Sequence, residues 1–148
     1  MLSRVRKKRI LKMMNPDLDE KTRLIQIALE ARKNAYVPYS HYPVGAALLT
    51  ESGKIFIGAN IENAAFSVTI CAERTAIFKA VSEGERDLQA IAVVTKNGGT
   101  PCGSCRQVMA EFNPNMKIYI ADEHGKLIQE TVLKEILPGY FGPESLVR

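Results

Sequence analysis

From residue 16 onward, two kinds of hydrophobic periodicity alternate along the chain, and this alternation limits the folds that it can adopt. Apolar residues recur at helical spacing between Leu18 and Ala31, with acidic residues early and basic residues late, as a helix dipole favours. Short apolar runs bounded by turn residues follow, as in strands. Elements of both kinds bury their apolar faces in layers. The sequence therefore predicts an α/β fold of three layers, α/β/α, with a mixed β-sheet.

The predicted elements succeed one another without an internal repeat or a low-complexity tract. Two apolar runs, 44–50 and 54–60, flank a Glu-Ser-Gly turn and are typical of a β-hairpin. A loop is predicted up to residue 70, and a helix is predicted to begin at Cys71 and to end near 83–84. The later predictions are a strand at 89–95, a short helix from 102 to about 112, a strand at 117–121 that pairs with 127–130, and a helix at 132–137.

The length and composition indicate one globular domain. The chain has 148 residues, of which 46% are hydrophobic and 24% are charged, which excludes collagen-like, disordered and disulfide-scaffold classes. Its apolar runs are well short of the ~18–20 residues that cross a bilayer, and no secretory signal pattern follows the start. We therefore expect residues 16–148 to form a single domain that is cytoplasmic and has no membrane partner.

The net charge of +4 comes from the first residues of the chain. Lys and Arg occupy six of the first thirteen positions, and without that segment 14 basic residues face 16 acidic ones, a net charge of −2. The body of the protein therefore lacks a broad basic face, and no nucleic-acid partner is expected. Residues 1–15 are interpreted as a basic, flexible N-terminal extension. A targeting segment, an arm that touches an acidic surface, and a later natural start at Met13 or Met14 remain alternatives.

Three cysteines dominate the chemistry that the sequence offers. Cys102 and Cys105 stand three residues apart where a helix is predicted to begin, so their sulfurs lie on one face, and Cys71 opens another predicted helix. Separate buried thiols are the ordinary alternative for cysteines in a reducing compartment. However, the turn in Pro101-Cys-Gly-Ser-Cys, with two residues between the cysteines, has the spacing that surrounds a tetrahedral metal. The sequence therefore predicts a metal site.

The predicted metal site has three protein ligands. Neither His41 nor His124 is spaced to join the cysteines, and three ligands with an open fourth position are typical of catalytic zinc. Glu73 is expected beside the metal, because it falls in the first turn of the helix that Cys71 opens; an acid favoured only by the helix dipole is the alternative. Arg74 and two helix N-termini are expected to draw negative charge from the thiolates.

Two motifs surround this site, Cys71-Ala-Glu-Arg-Thr-Ala and Pro101-Cys-Gly-Ser-Cys-Arg-Gln. They closely resemble the homotetrameric, three-cysteine cytidine deaminases. The resemblance runs from about residue 24 to 146 and includes segments 36–40, 44–47, 60–63, 78–84 and 137–141. It implies a cytidine-deaminase-like fold, a Zn²⁺ cofactor held by Cys71, Cys102 and Cys105, and hydrolysis of cytidine and 2′-deoxycytidine to the uracil nucleosides and ammonia.

The same resemblance implies roles for further residues. Glu73 takes a proton from the attacking water, delivers it to N3 of the pyrimidine and later protonates the leaving amine. The backbone amide of Ala72 holds the pyrimidine O2. Asn60 and Glu62 bind the ribose 3′-hydroxyl, for which an amide and a carboxylate offer both donors and acceptors.

Three other residues and one segment bear on the implied assembly and specificity. Phe141 matches an aromatic residue that each subunit supplies to a neighbour's active site, which implies a homotetramer with shared sites. Tyr42 stands where the family usually has Phe near the base, so its added hydroxyl needs a partner. Phe66 replaces a frequent Tyr, which leaves a hydroxyl contact to the 5′ end of the nucleoside in question. The 95–101 segment is about two residues shorter than is usual.

Two other functions stay open on the sequence. One is a related deaminase that acts on a cytosine-containing antibiotic or on a polynucleotide, although the slightly acidic body and Phe141 argue against a long strand. The other is a non-catalytic zinc-binding domain, against which Glu73 argues.

Overall fold

A computed structural model describes residues 17–146, so the predicted N-terminal extension at 1–15 lies outside the described residues. Five strands form one sheet in the order β2-β1-β3-β4-β5. They are β1 Gly45–Thr50, β2 Ile55–Ala59, β3 Leu88–Val94, β4 Lys117–Ala121 and β5 Leu127–Val132. Strands β3 and β4 are parallel, and the other neighbouring pairs are antiparallel. The predicted mixed sheet and both predicted strand pairings are confirmed.

Four α-helices accompany the sheet in the described part of the chain. They are α1 Glu20–Ala31, α2 Ala72–Ser82, α3 Gly103–Phe112 and α4 Leu133–Ile136. Helix α1 begins after Asp19, whose Oδ1 accepts a hydrogen bond from the amide of Thr22 at 3.0 Å, which satisfies one of the unpaired amides of the first turn. Helix α4 is a single turn, shorter than the predicted 132–137. No helix within residues 17–146 has both the length and the apolar composition needed to cross a membrane.

The helices cover the two faces of the sheet unequally. Alternate side chains of β1 and β3 point to opposite faces. On one face, Leu48 and Ile91 belong to a core shared with α2 and α3, whereas Ala47 and Ala92 on the other face pack against α1. Because both faces are buried, these strands appear as continuous apolar runs in the sequence. The predicted three-layer arrangement is confirmed.

Two glycines let the helices approach the sheet closely. A Cβ atom at Gly58 of β2 would lie 2.1 Å from the carbonyl oxygen of Ala72 and 2.6 Å from the amide nitrogen of Ala76 in α2. At Gly45 of β1, a Cβ atom would lie 2.1 Å from the carbonyl oxygen of Ala28 in α1. Only glycine fits where backbone approaches backbone so closely. Gly58 therefore sets the depth at which the N-terminal end of α2 lies against the sheet.

Candidate metal centre and active site

Three thiols meet where α2 and α3 begin. Cys71 and Cys102 are the N-cap residues of α2 and α3, and Cys105 lies in the first turn of α3. Their sulfur atoms all lie within 4.8 Å of one another. The helix that was predicted to begin at Cys71 begins at Ala72, because Cys71 has the extended backbone of a cap residue (φ −74°, ψ 154°).

The spacing of the sulfurs fits a tetrahedral metal. The Sγ atoms of Cys71 and Cys102 are 3.8 Å apart, and all three cysteines are free thiols. Two Zn–S bonds of ~2.3 Å that meet at a tetrahedral angle separate their sulfurs by about 3.8 Å, whereas a disulfide needs about 2.05 Å. Within residues 17–146 this group of potential ligand atoms consists of the three thiols, so a tetrahedral ion held by them has one corner open.

The surroundings of the thiols favour negative charge. The N-termini of α2 and α3 both point at the group, and helix N-termini stabilise thiolates. Nη2 of Arg74 donates a hydrogen bond to Sγ of Cys71 at 3.4 Å. Hydrogen bonds from the Cys105 thiol, from Arg74 and from Cys102 lower the pKa of Cys71 well below its ordinary value, although burial opposes the shift. Cys71 is therefore suited to bind a cation as a thiolate.

The carboxyl group of Glu73 lies beside the thiols and away from solvent. Glu73 is the second residue of α2, and only 4% of its surface is exposed. Burial raises its pKa to about 7, since the charged form loses its hydration. A carboxyl with such a pKa exchanges protons readily near neutral pH, as a general acid or base must.

Glu73, Cys71 and Cys102 share one cavity of about 220 Å³. Six other residues complete its lining: Tyr42, Val44, Asn60, Thr95, Gly99 and Thr100. Ala72 is the first residue of α2, so its amide has no acceptor within the helix and is available to a ligand at this end. The sequence reasoning missed Val44, Thr95, Gly99 and Thr100. The available signal for Val44 and Thr95 was their position at the ends of the predicted strands at 44–50 and 89–95, and for Gly99 and Thr100 their position in the loop just before Cys102.

Asn60 and Tyr42 are held in defined positions in the cavity wall. Asn60 accepts a hydrogen bond from the amide of Val44 at 2.8 Å through Oδ1, and its Nδ2 donates to the carbonyl oxygen of Tyr42 at 2.9 Å. The hydroxyl of Tyr42, which the sequence left without a partner, donates to Oδ1 of Asn97 at 2.5 Å. Asn97 was not singled out from the sequence, and no sequence pattern indicated it.

Glu62 lies in a second cavity, of about 410 Å³, which Tyr39, Ser40, Phe66 and Thr69 also line. Oε2 of Glu62 accepts hydrogen bonds from the amides of Tyr39 at 2.9 Å and Ser40 at 3.2 Å. Hydrogen bonds, chiefly from the Ser40 side chain, hold the pKa of Glu62 below its ordinary value, so this carboxylate is charged and fixed. The described chain does not bring Glu62 into the lining of the cavity that contains the thiols.

Phe141 also lies outside the lining of the thiol cavity. Its side chain is 61% exposed, and its carbonyl oxygen accepts a hydrogen bond from Nε2 of Gln107 at 2.6 Å. His124 is exposed in the turn between β4 and β5, and His41 is exposed with a left-handed backbone (φ 53°). Neither histidine belongs to the group of potential metal ligands found within residues 17–146.

A three-layer α/β fold, three convergent thiols with an open corner and a buried carboxyl beside them fit the class of metal-dependent hydrolytic enzymes. The family model described as "Cytidine and deoxycytidylate deaminase zinc-binding region" matches residues 18–121. The chain belongs to this deaminase family. The predicted family resemblance is thereby confirmed.

Similar proteins cover most of the chain. It is 56% identical over 126 residues to a cytidine deaminase of Halalkalibacterium halodurans, a match that covers 83% of this chain and 95% of that protein. A cytidine deaminase of Sporosarcina psychrophila is 54% identical over 127 residues, which are 84% of this chain and 93% of the relative. The crystal structure of a cytidine deaminase from Burkholderia pseudomallei superposes with a TM-score of 0.76 at 44% identity, over 80% of this chain and 96% of that one. These matches confirm the cytidine-deaminase-like fold.

Proposed function

We propose that this chain catalyses the hydrolytic deamination of cytidine and 2′-deoxycytidine, which releases uridine or 2′-deoxyuridine and ammonia. The observation that carries the proposal is that three thiols converge, and that two of them, Cys71 and Cys102, line one cavity of about 220 Å³ together with the buried carboxyl of Glu73. Deamination of cytosine needs an activated water at C4 and a carboxyl group that moves protons. Membership of the deaminase family supports the same reaction.

The proposed cofactor is Zn²⁺, held by Cys71, Cys102 and Cys105. When bound there, zinc supplies a Lewis acid that activates water for attack on the ring. The 3.8 Å between two of the sulfurs supports this ligand set. Three thiolates give the site an excess negative charge over Zn²⁺, which works against activation of water. Arg74 and the two helix N-termini offset part of that charge, which is the role that we propose for Arg74.

Glu73 moves the protons in this proposal. Its carboxylate takes a proton from the water whose oxygen bonds to C4, and it passes that proton to N3 of the ring. It then carries the second proton of the water to the amine, which leaves as ammonia when the C4–N4 bond breaks and the C4 carbonyl forms. The burial that raises the pKa of Glu73 to about 7 supports this role, since both protonation states occur during one turnover.

Other residues of the chain hold the nucleoside. The amide of Ala72, free of the helix hydrogen-bond pattern, donates to the pyrimidine O2. Asn60 has a second N–H and a second lone pair beyond its bonds to Val44 and Tyr42, with which it binds the ribose 3′-hydroxyl. Glu62, two residues further along the chain, contacts the same hydroxyl from the side of the second cavity in this proposal. These contacts do not use the 2′-hydroxyl, so ribose and deoxyribose substrates are both accepted. The ring of Tyr42 lies against the base.

We place the active protein in a homotetramer in the cytoplasm. Phe141 reaches a neighbouring subunit's site in this proposal, and the exposure of its ring outside its own chain's cavity supports the role. Other large apolar side chains are exposed as well, including Tyr39, Ile61, Phe66 and Val68, and subunit contacts would cover such a surface. Three free cysteines are typical of a reducing compartment, in which thiols stay reduced, and this supports the cytoplasmic location.

A substrate panel on a sample of known zinc content tests the function. Cytidine and 2′-deoxycytidine should be consumed, and cytosine, CMP, a cytosine-containing antibiotic and single-stranded DNA should remain unchanged. Zinc should be close to one ion per chain. Turnover of the antibiotic or the DNA in place of the nucleosides would identify a different deaminase. Full zinc occupancy without turnover of any compound in the panel would indicate a binding domain.

The variant Glu73→Gln tests the proton carrier. Glutamine has nearly the same shape but cannot exchange a proton, so we expect zinc to be retained while kcat falls by ~10²–10⁴ or more. Glu83→Gln is the matched control, because Glu83 is exposed at the C-terminal end of the same helix. Substantial turnover by Glu73→Gln would contradict the role of Glu73.

A further inference from the structure

The hydroxyl of Tyr42 connects the wall of the cavity to Asn97, which is not part of the cavity lining. The side chain of Tyr42 lines the thiol cavity, and its hydroxyl donates to Oδ1 of Asn97 at 2.5 Å. Asn97 is separated from Tyr42 by 55 positions and lies in the loop that joins β3 to α3. This hydrogen bond therefore connects the entry to β1 with the loop that leads to two of the thiols.

The loop that presents Asn97 is fixed to the sheet at several points. The amide of Thr95 donates to the carbonyl oxygen of Ala121 at 3.2 Å, and the amide of Gly99 donates to Oγ1 of Thr95 at 2.7 Å. Asn97 itself forms an isolated antiparallel bridge with Asp122, beyond the end of β4. The backbone that carries Asn97 is thus held in place, and its exposed side chain accepts the hydrogen bond from Tyr42.

Gly99 provides the space that the Tyr42 hydroxyl occupies. A Cβ atom at Gly99 would lie 2.9 Å from that oxygen, closer than real Cβ contacts come. The next atoms, Oγ1 of Thr95 and Oδ1 of Asn97, would be 3.6 Å and 3.8 Å away, which are ordinary contacts. The tyrosine hydroxyl is therefore the one described group that an alanine side chain at this position would displace.

The backbone of Tyr42 is held as firmly as its hydroxyl. Its amide donates to Oγ of Ser40 at 3.1 Å, and its carbonyl oxygen accepts from Nδ2 of Asn60 at 2.9 Å. Hydrogen bonds therefore hold Tyr42 at its backbone and at its hydroxyl, on both sides of the aromatic ring. A wall that is fixed before the ligand arrives lowers the entropy cost of binding.

We propose that Asn97 is a positioning residue of the nucleoside pocket, which holds the ring of Tyr42 in place through the tyrosine hydroxyl in the space that Gly99 leaves open. The inference rests on the proposed function and deepens it, because it identifies the contact that positions one wall of the pocket, between Tyr42 and the loop that carries Asn97. The hydrogen bond involves neither Glu73 nor a thiol. Its loss should therefore weaken nucleoside binding more than it slows the chemical step.

The test compares Asn97→Ala, Tyr42→Phe and the double variant with the wild type, all loaded with zinc. One hydrogen bond of ordinary net strength corresponds to a rise in KM for cytidine of about three- to tenfold, with kcat much less affected. The Kd for uridine, measured by calorimetry, should rise to the same extent. Because both single changes remove the same bond, KM and Kd of the double variant should not exceed those of the more impaired single variant. Lys96→Ala, an exposed change in the same loop, is the control and should match the wild type.

Gly99→Ala provides a second and independent test. With Tyr42 present, the new methyl group should displace the hydroxyl and raise KM and the Kd for uridine by at least as much as Asn97→Ala does. In the Tyr42→Phe background the methyl group has room, so Gly99→Ala should have little further effect. Melting temperatures of all variants show whether each is folded.

The outcomes separate this inference from the proposed function. An active wild type with Asn97→Ala kinetics identical to those of Lys96→Ala overturns the positioning role. An effect of Gly99→Ala that is equally large in both backgrounds also overturns it. A zinc-loaded wild type that deaminates neither nucleoside overturns the proposed function, and this inference with it.

Discussion

Gly58 lies where β2 contacts α2, so an added methyl group at this position should displace residues of the active site. Gly58→Ala places a Cβ atom 2.1 Å from the carbonyl oxygen of Ala72 and 2.6 Å from the amide nitrogen of Ala76. Both are backbone atoms of a helix, so neither can rotate away as the end of a side chain can. The shorter distance is about 1.3 Å below the 3.4 Å at which ordinary contact begins. The strand and the helix must therefore move apart by about 1 Å.

This displacement changes distances within the site whichever element moves. Helix α2 carries Glu73 and begins after Cys71, and β2 leads directly into Asn60. A misplacement of ~1 Å can reduce the rate about 100-fold. We therefore expect kcat/KM for cytidine to fall by about two orders of magnitude, and the overpacking to lower the free energy of unfolding by about 1–3 kcal/mol.

Gly45→Ala is the matched control for Gly58→Ala. It creates an equal overlap, 2.1 Å from the carbonyl oxygen of Ala28 and 2.4 Å from the amide nitrogen of Arg32, but on the opposite face of the sheet. Helix α1 carries no residue of the site, so the overlap at Gly45 can reach the cavity only through the entry to β1 at Val44, and we expect a smaller loss of kcat/KM than in Gly58→Ala. Thermal unfolding, zinc content and cytidine turnover are measured for both variants. Equal losses of stability with equal and small losses of kcat/KM would refute the argument that Gly58 positions α2 for catalysis.

Two further changes test the metal ligands and the turn between β4 and β5. Cys105→Ala should reduce zinc well below one ion per chain and lower the melting temperature to that of the chelator-treated wild type, because folding and metal binding are coupled; elemental analysis that finds unchanged zinc would contradict the ligand set. Asp122 accepts hydrogen bonds from the amides of His124 at 2.9 Å and Lys126 at 3.0 Å, which hold its pKa below the ordinary 3.8. A carboxyl group whose pKa is lowered by folding stabilises the folded state at pH values above its ordinary pKa. That stabilisation is lost as the pH falls through the folded-state pKa. Asp122→Asn should therefore unfold at lower urea concentration than the wild type near neutral pH, and the difference should shrink on acidification below about pH 4. The exposed Asp87→Asn is the control, and a difference that does not vary with pH would contradict this origin.

The parts of the fold that the sequence predicted are those that local periodicity determines. The apolar run that became β3 and the helical spacing of α1 are visible without knowledge of their partners, because each element has to bury a face. The spacing of Cys102 and Cys105 likewise implies one helix face. The start of α2 was misplaced by one residue, since only the backbone angles distinguish the cap residue Cys71 from the first helical residue.

The parts of the site that the sequence did not reveal depend on close approaches between distant segments. Nothing local to Asn97 indicates that Tyr42, 55 positions earlier, donates to it. Gly58 appears in the sequence as an ordinary interruption of a strand, and only the packing of α2 shows that a methyl group there would meet the helix backbone.

The sequence by itself determined the layered fold and identified the three cysteines and Glu73 as candidate site residues, because hydrophobic period and ligand spacing are properties of short stretches of chain. The tertiary structure decided which groups share a cavity: it placed Glu73 beside the thiols and buried it, whereas Glu62 lies in a separate cavity and Phe141 remains exposed. The physical reason is that burial, and with it the raised pKa of Glu73, comes from atoms supplied by many segments at once. No single segment of the sequence contains that information.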